Sequence, residues 1–167
     1  IVHIYQKVLI FKKKTMPDTY SQLNIHGVFA VKRRENIITK NFRDPLHKYM
    51  SGILNEYDAF PLAVGGWLDH VHVFFELKPS QRISDVIGHL KAVSSKWINE
   101  NHFVKGKFNW QEGYGAFSYS KSQRDRVIKY IMKQEEHHRK MTFREEYIAL
   151  LKKFGAKYKE EYLFEFY

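Results

Sequence analysis

Two histidines stand one residue apart in an apolar run, DHVHVFF, at residues 69–75. Alternate side chains of a β-strand point to the same face, so His70 and His72 would form a platform of two ring nitrogens on one side of such a strand. The opposite face would carry three apolar side chains, those of Val71, Val73 and Phe75. A pair of neutral imidazoles can bind a divalent cation. The alternative is a pair of hydrogen-bonded polar residues on a half-buried strand, and the spacing alone does not decide between the two.

A phenol and an amide lie one helical turn apart in the segment RDRVIKYIMKQEEHHRK, residues 124–140. Tyr130 and Gln134 are four residues apart, so they would share a helix face beside His137. Arg126 and Lys133 would flank them on the solvent side. A tyrosine hydroxyl can act as a covalent nucleophile when neighbouring groups help it to lose its proton. Two competing tyrosines lie on a predicted strand and have no amide one helical turn away: Tyr114 and Tyr119.

Several neighbouring residues could support this chemistry or could be structural. Asp69 could orient a metal-bound His70 through a hydrogen bond, although a residue at the start of a strand needs no such role. Gln134 could be an ordinary solvated helix residue, and His138, four residues further along the helix, could replace it as a ligand. His137 and His138 are more typical of structural or phosphate contacts than of metal ligands.

The composition favours a single domain that binds a polyanion. The chain has 167 residues, a net charge of +10 and 16% aromatic residues, which indicate a nucleic acid with bases available for stacking, although basic metabolic enzymes also exist. It contains no cysteine, which excludes disulfides and thiolate-bound zinc. No stretch approaches the length of a membrane span, so we expect a cytoplasmic, nucleoid-associated protein. Residues 1–15 carry four lysines and no acidic residue, and we interpret them as an upstream extension or a cloning artefact ahead of one domain over residues 16–167.

The periodicity of the apolar residues predicts an α+β fold with the order β-α-β-β-α-β, followed by further helices. The predicted strands cover residues 19–32, 60–67 and 70–77, with a fourth within 108–120. The first two predicted helices begin at Asp44-Pro45 and at Pro79-Ser80. A capping box of Ser122 and Asp125 begins a third helix that runs to about Arg139. A second capping box, of Thr142 and Glu145, begins a fourth helix that ends at Gly155. This order is the ferredoxin-like split β-α-β fold, an antiparallel sheet with helices on one face. The two histidines would then lie on the open face, and a C-terminal helix would carry the nucleophile.

Two short motifs in this chain resemble those of a known family. His70-Val71-His72 is similar to the histidine, apolar residue, histidine motif of the HUH endonuclease superfamily, and Tyr130 with Gln134 is similar to the Tyr-x-x-x-Gln helix motif of its IS200/IS605-type tyrosine transposases. The likeness runs from about residue 16 to about residue 154. It includes four further stretches: TYSQLNIHGVFAVKRREN near the start, LKAVSSKWINE at 90–100, WQEGYGAFSYS at 110–120 and QEEHHRKMTFREEY at 134–147.

The resemblance implies a metal-dependent enzyme that cuts and rejoins single-stranded DNA. It implies that His70, His72 and Gln134 bind one divalent cation, Mg²⁺ or Mn²⁺, and that Tyr130 is the nucleophile that forms a 5′-phosphotyrosine. It further implies recognition of DNA hairpins at element ends, and a homodimer in which the helix with Tyr130 completes the histidine pair of the partner. Because Mn²⁺ accepts imidazole more readily than Mg²⁺ does, we expect Mn²⁺ to work at least as well in vitro.

Basic residues are the predicted contacts to the DNA phosphates, although such residues are first of all a solvated surface. The four candidates are Lys32, Arg33, Arg126 and Lys133. Two other functions stay open from the sequence. One is a domesticated REP-associated transposase that acts on chromosomal palindromes. The other is a non-catalytic module that binds single strands by stacking bases on aromatic residues of its sheet, for which the candidates are Trp110, Phe117 and Tyr119.

Overall fold

Four antiparallel strands form one sheet in the computed structural model, which describes residues 20–159 and 162–163; the extension predicted over residues 1–15 lies outside the described residues. The strands are β1 Asn24–Ala30, β2 Phe60–Gly66, β3 His70–Glu76 and β4 Gly115–Tyr119. The helices of this part of the chain are α1 Lys40–Glu56, α2 Ile83–Glu100, α3 Arg124–Met132, α4 Gln134–His137 and α5 Phe143–Lys153. The strand order β2-β3-β1-β4 is that of a split β-α-β unit, which confirms the predicted α+β class. None of these helices combines the length and the apolar character that crossing a membrane requires.

Helices α1 and α2 pack on one face of the sheet, as predicted. Val71, Val73 and Phe75 of β3 are buried in this layer, in a core that includes Leu46 of α1 and Leu90 of α2. Each helix turns an apolar stripe toward the sheet and a polar face toward water. The packing fixes β3 from one side, so the side chains on its other face are held in defined positions.

The other face of the sheet, which carries His70 and His72, is not open, and on this point the prediction is wrong. The C-terminal helices of the same chain cover it: Val127 of α3 and Leu150 of α5 belong to one buried cluster with Phe74 of β3. The reason is that α3 and α5 are themselves amphipathic, and the sheet offers their apolar stripes a surface on which to be buried. The two histidines are therefore enclosed between the sheet and these helices, and both are 0% exposed.

Two helices begin at other residues than the sequence predicts. Helix α1 begins four residues before Asp44, because the N–H of Arg43 donates to the carbonyl of Thr39 at 3.0 Å and completes a turn ahead of Pro45. The proline lies inside the helix, where its missing N–H removes one backbone hydrogen bond. Helix α2 begins after residue 82, because the side chain of Gln81 holds the preceding segment in a turn: its amide oxygen accepts from the Lys78 N–H at 3.0 Å.

The predicted single helix up to residue 139 is broken at Lys133, whose φ of −106° and ψ of 22° separate α3 from α4. The end of α3 lies directly on β2: a Cβ added to Gly65 would be 2.4 Å from the carbonyl oxygen of Ile131. The break means that Tyr130 and Gln134 lie on two successive helices rather than on one continuous face.

The capping residues predicted from the sequence are wrong for α3 and confirmed for α5. A short 3₁₀ turn at Lys121–Gln123 precedes α3, so the capping box moves upstream to Ser120 and Gln123, and the predicted box of Ser122 and Asp125 is wrong. For α5, the predicted box of Thr142 and Glu145 is confirmed, and Gly155 follows the helix with a φ of 63°, a conformation that favours glycine.

Candidate active site

The two histidines of β3 each hold a partner through Nδ1. His70 Nδ1 lies 2.7 Å from Oδ1 of Asp69, and His72 Nδ1 lies 2.9 Å from Nε2 of His26 on β1. Because a carboxylate only accepts hydrogen bonds, Asp69 keeps the proton of His70 on Nδ1 and leaves the lone pair of Nε2 for another partner. Burial lowers the pKa of both His70 and His26, which favours the neutral imidazole that a metal ion requires.

The side chains of Gln134 and His138 meet His70 at its Nε2 atom. The amide oxygen of Gln134 lies 3.0 Å from Nε2 of His70 and 2.9 Å from Nε2 of His138, and the two histidine Nε2 atoms are 3.1 Å apart. The other ring nitrogen of His138 donates to the carbonyl of Met141 at 2.8 Å. The chain thus brings the predicted ligands of β3 and the C-terminal helices to one point, even though the helix between Tyr130 and Gln134 is broken.

A carboxylate from α5, that of Glu146, completes this cluster. Its Oε2 atom lies 3.1 Å from Nε2 of His138, 3.5 Å from Nε2 of His72 and 3.8 Å from Nε2 of His70. The ligand atoms of His70, His72 and Glu146 all lie within 4.8 Å of one another. Sequence reasoning missed Glu146, although its spacing carried a signal: it is three residues after Phe143 and four before Leu150, on the apolar stripe of the helix.

The donor atoms of this cluster fit a divalent cation. Among the residues that the structure describes, His72 Nε2 and Glu146 Oε2 are buried and form no hydrogen bond of regular geometry, although Oε2 makes ion-pair contacts with the surrounding histidines. Buried polar atoms without a partner are rare, because each one loses its hydration without a replacement. Two imidazole nitrogens, a carboxylate oxygen and an amide oxygen form a mixed nitrogen and oxygen set of the kind that Mn²⁺ and related cations accept.

The hydroxyl of Tyr130 donates a hydrogen bond to Oε1 of the same Glu146 carboxylate, and the amide nitrogen of Gln134 donates to that oxygen at 2.9 Å. The Tyr130 ring stands edge-on to the His72 ring, with their centres 5.7 Å apart. Burial alone would raise the pKa of Glu146, but the surrounding histidines, His72 foremost, lower it, so the carboxylate is charged. Burial and this carboxylate raise the pKa of Tyr130, so the phenol keeps its proton in this arrangement.

A cleft of about 530 Å³ opens from Tyr130 toward solvent. Its lining includes the cationic side chains of Arg126, Lys129, Lys133 and Lys140, together with His137. Two of the predicted phosphate contacts, Arg126 and Lys133, therefore lie beside Tyr130. The other two, Lys32 and Arg33, line a separate cavity together with Lys107.

The aromatic residues considered for base stacking belong to the packed interior. Trp110 is 7% exposed and donates from its indole nitrogen to Oγ of Ser94 at 3.0 Å. Phe117 and Tyr119 are 5% and 8% exposed, and they pack in the cluster beneath α3 and α5. Of the two competing tyrosines, Tyr119 is thus a core residue, and Tyr114 is 39% exposed.

Comparisons with known proteins find similar sequences and folds among transposases. The chain is similar to the ISDra2 transposase TnpA of Deinococcus radiodurans, with 24% identity over 120 residues that make up 69% of this chain and 86% of the relative. It is similar in fold to a crystal structure described as that of a transposase from D. radiodurans R1, with a TM-score of 0.56, 23% identity and coverage of 73% of this chain and 97% of that one. It is also similar in fold to a REP-associated tyrosine transposase bound to a REP hairpin, with a TM-score of 0.53, 12% identity and coverage of 74% and 73%.

The family model described as "Transposase IS200 like" matches residues 19–134, which is more than half of the chain. This range contains both histidines of β3, Tyr130 and Gln134, and it ends before His138 and Glu146. By this match the chain belongs to the IS200-like transposase family.

Proposed function

We propose that this transposase cuts and rejoins single-stranded DNA through a covalent bond between Tyr130 and a 5′-phosphate, at a site that holds one divalent cation. The observation that carries the proposal is the shared carboxylate of Glu146. One of its oxygens accepts a hydrogen bond from the hydroxyl of Tyr130, and the other lies 3.1 Å from Nε2 of His138 and 3.5 Å from Nε2 of His72. The Tyr130 hydroxyl and the candidate metal donors therefore meet at a single carboxylate.

The cation would be held by Nε2 of His70, Nε2 of His72 and Oε2 of Glu146, with the amide oxygen of Gln134 as a further donor. When bound, it supplies Lewis acidity to a non-bridging phosphate oxygen and positive charge near the phenol. The chain's own part is to present donors that need no rearrangement. Asp69 fixes the tautomer of His70, and the burial of both histidines keeps water from competing for their nitrogens.

The chemical step starts from the Tyr130 oxygen, which would attack the scissile phosphorus as its proton passes to Oε1 of Glu146. The bond from phosphorus to the 3′ oxygen breaks, and that oxygen takes up one proton from solvent to leave as a 3′-hydroxyl, while Glu146 returns its proton to solvent. The other strand end stays on Tyr130 as a 5′-phosphotyrosine, which retains the energy of the broken phosphodiester. Attack by a 3′-hydroxyl on this phosphotyrosine then rejoins DNA and returns the phenol, so no nucleotide cofactor is needed.

The cationic cleft would hold the strand on either side of the scissile phosphate. Arg126, Lys129, Lys133 and Lys140 surround the opening above Tyr130 and can each pair with a backbone phosphate. A half-buried phenol that lines this cleft favours a flexible single strand over a stiff duplex. By analogy with the hairpin-bound relative in the comparisons, we further propose that the recognised DNA carries a hairpin, and that the protein acts in the cytoplasm, where the chromosome exposes single strands.

All the groups of the proposed site come from one chain, since the rings of Tyr130 and His72 meet within it. If the protein forms the homodimer that the family resemblance implies, we propose that each subunit contains a complete site. The non-catalytic alternative loses its main support, because Phe117 and Tyr119 are buried and cannot stack on bases.

The test is a covalent adduct with Mn²⁺ and a single-stranded hairpin oligonucleotide, resolved under denaturing conditions. A label at the 3′ end of the oligonucleotide should appear on the protein, and a label at the 5′ end should appear on a shortened free strand. Tyr130→Phe should abolish the adduct, whereas Tyr114→Phe, at an exposed tyrosine outside the site, should leave it unchanged. Binding without any adduct across hairpins from the flanks of the gene would contradict the proposal, as would an adduct that survives Tyr130→Phe.

A further inference from the structure

The buried His26 on β1 has no place in the proposed chemistry, yet it lies against one of the proposed ligands. It is 0% exposed, and its Nε2 atom is 2.9 Å from Nδ1 of His72. Its ring is surrounded by aromatic rings, with centre-to-centre distances of 6.4 Å to Phe74, 6.2 Å to Phe117 and 6.0 Å to Tyr119. Its own Nδ1 atom is buried and has no hydrogen-bond partner among the described residues.

A histidine at this position lowers the stability of the fold if packing is its only role. One of its two nitrogens is left unpaired in an apolar surrounding, and such a group lowers stability relative to an apolar side chain of the same shape. Phenylalanine would fill the same space between the aromatic rings without an unpaired nitrogen. The polarity of this residue therefore points to its contact with His72, the one hydrogen bond that His26 makes among the described residues.

That contact couples the hydrogen position on His72 to the hydrogen position on His26. One hydrogen lies between His26 Nε2 and His72 Nδ1, because two bare lone pairs or two N–H groups would repel each other at 2.9 Å. If His72 is the donor, its Nε2 atom carries a lone pair toward Glu146. If His26 is the donor, His72 must carry its hydrogen on Nε2, where it would block a cation.

We propose that His26 is a positioning residue that accepts the Nδ1 hydrogen of His72 and thereby presents the His72 Nε2 lone pair to the cation. This inference rests on the proposed metal site and deepens it. It gives His26 the same role toward His72 that Asp69 has toward His70, but with an imidazole in place of a carboxylate. The chain therefore orients its two proposed imidazole ligands by two different groups, one charged and one neutral.

The neutral partner has a consequence that the carboxylate does not share. Asp69 can only accept, so it holds His70 in one tautomer whether or not a cation is bound. An imidazole nitrogen can accept or donate, so His26 also allows His72 to carry its hydrogen on Nε2, facing the Glu146 carboxylate at 3.5 Å. The pocket can thus adjust to the loss of its cation without leaving the Glu146 charge unopposed.

The variants His26→Phe and His26→Gln test the role by Mn²⁺ affinity, measured by isothermal titration calorimetry without DNA. Phenylalanine removes the acceptor and should weaken Mn²⁺ binding by about 10- to 100-fold, the usual effect of losing a group that orients a ligand. Glutamine can place its amide oxygen near the position of Nε2 and should restore most of the affinity. Phe117→Leu is the matched control, because it disturbs the packing around His26 without removing the hydrogen bond, and it should lower the melting temperature while leaving Mn²⁺ affinity unchanged.

A measurement on the unaltered protein keeps the inference testable if the phenylalanine variant does not fold. With Zn²⁺ bound, the ¹⁵N spectrum of the histidine side chains should place a hydrogen on Nδ1 of both His72 and His26, and none on Nε2 of His26. Wild-type Mn²⁺ affinity in His26→Phe, equal weakening in Phe117→Leu, or a hydrogen on Nε2 of His26 in the Zn²⁺ form would each overturn the role of His26 alone. Failure of the wild-type protein to bind any divalent cation would instead overturn the proposed metal site, and this inference with it.

Discussion

The contact between Gly65 of β2 and the end of α3 leads to a quantitative prediction about Tyr130. A Cβ at residue 65 would lie 2.4 Å from the Ile131 carbonyl oxygen and 2.9 Å from Cγ2 of Ile131. Ordinary contact begins at 3.4 Å, so the carbonyl would have to retreat by about 1 Å in Gly65→Ala. The obstacle is backbone rather than a flexible side chain, and no rotamer change can relieve it.

The retreat would carry Tyr130 with it, because Tyr130 directly precedes Ile131 on the same helix. A displacement of about 1 Å of a reacting group can cost on the order of 100-fold in rate, and overpacking of this kind lowers the free energy of unfolding by about 1–3 kcal/mol. We therefore expect Gly65→Ala to fold, to melt at a lower temperature and to form the covalent DNA adduct about 100-fold more slowly under single-turnover conditions.

The control is Gly52→Ala on the exposed side of α1, where an added Cβ meets nothing within 4 Å. Alanine favours the helix by about 0.5–1 kcal/mol over glycine, so this variant should melt at a slightly higher temperature and keep the wild-type adduct rate. If Gly65→Ala forms the adduct at the wild-type rate, the close packing of α3 on β2 does not position the nucleophile, and the reasoning is refuted.

Three further predictions follow from the site. Glu146→Gln should weaken Mn²⁺ binding at least about 10-fold by calorimetry, since it removes the charged donor. The pKa of Glu146 is lowered from its ordinary 4.5, so the contribution of this carboxylate to stability is present above that pH and is lost as the pH falls. In urea titrations, the cation-free wild-type protein should therefore lose stability on acidification more steeply than Glu146→Gln does. A mixture of Tyr130→Phe and His70→Ala chains should form no adduct, because one chain supplies both groups; recovery of activity would show that subunits exchange α3. Lys133→Ala should weaken single-stranded DNA binding and make the slope of the logarithm of the association constant against the logarithm of salt concentration shallower by about 0.7, the value for one phosphate contact. Lys107→Ala is the control: it lies at the separate cavity, so it should not change the slope if the strand follows the Tyr130 cleft.

The parts of the site that depend on local spacing could be predicted from the sequence. The period of two along β3 places His70 and His72 on one face, and the four-residue spacing of Tyr130 and Gln134 places them about one helical turn apart, although the break at Lys133 divides them between α3 and α4. The same periodicities predict the strand order and the layer formed by α1 and α2. These features depend only on geometry within each element and on the order of the elements.

The parts that depend on how the elements meet could not be predicted in the same way. Glu146 becomes a member of the site only because α5 packs across the face that the sequence left open, and His26 only because β1 pairs with β3 in a register that sets Val28 opposite His72. The observed helix boundaries differ from the predicted ones for a related reason. Hydrogen bonds such as that between Gln81 and the Lys78 backbone compete with helix formation, and periodicity does not record them.

The covering of the second face by α5 also matters while the protein is being made. The Glu146 carboxylate that accepts from Tyr130 belongs to α5, the last α-helix in the described part of the chain, and this helix ends at residue 153. A growing polypeptide that has completed its sheet and emerged past Tyr130 still lacks that carboxylate, as well as the wall that keeps water from the two imidazoles. Under the proposed function, a chain that has not yet been synthesised through α5 should therefore be unable to form the covalent DNA adduct.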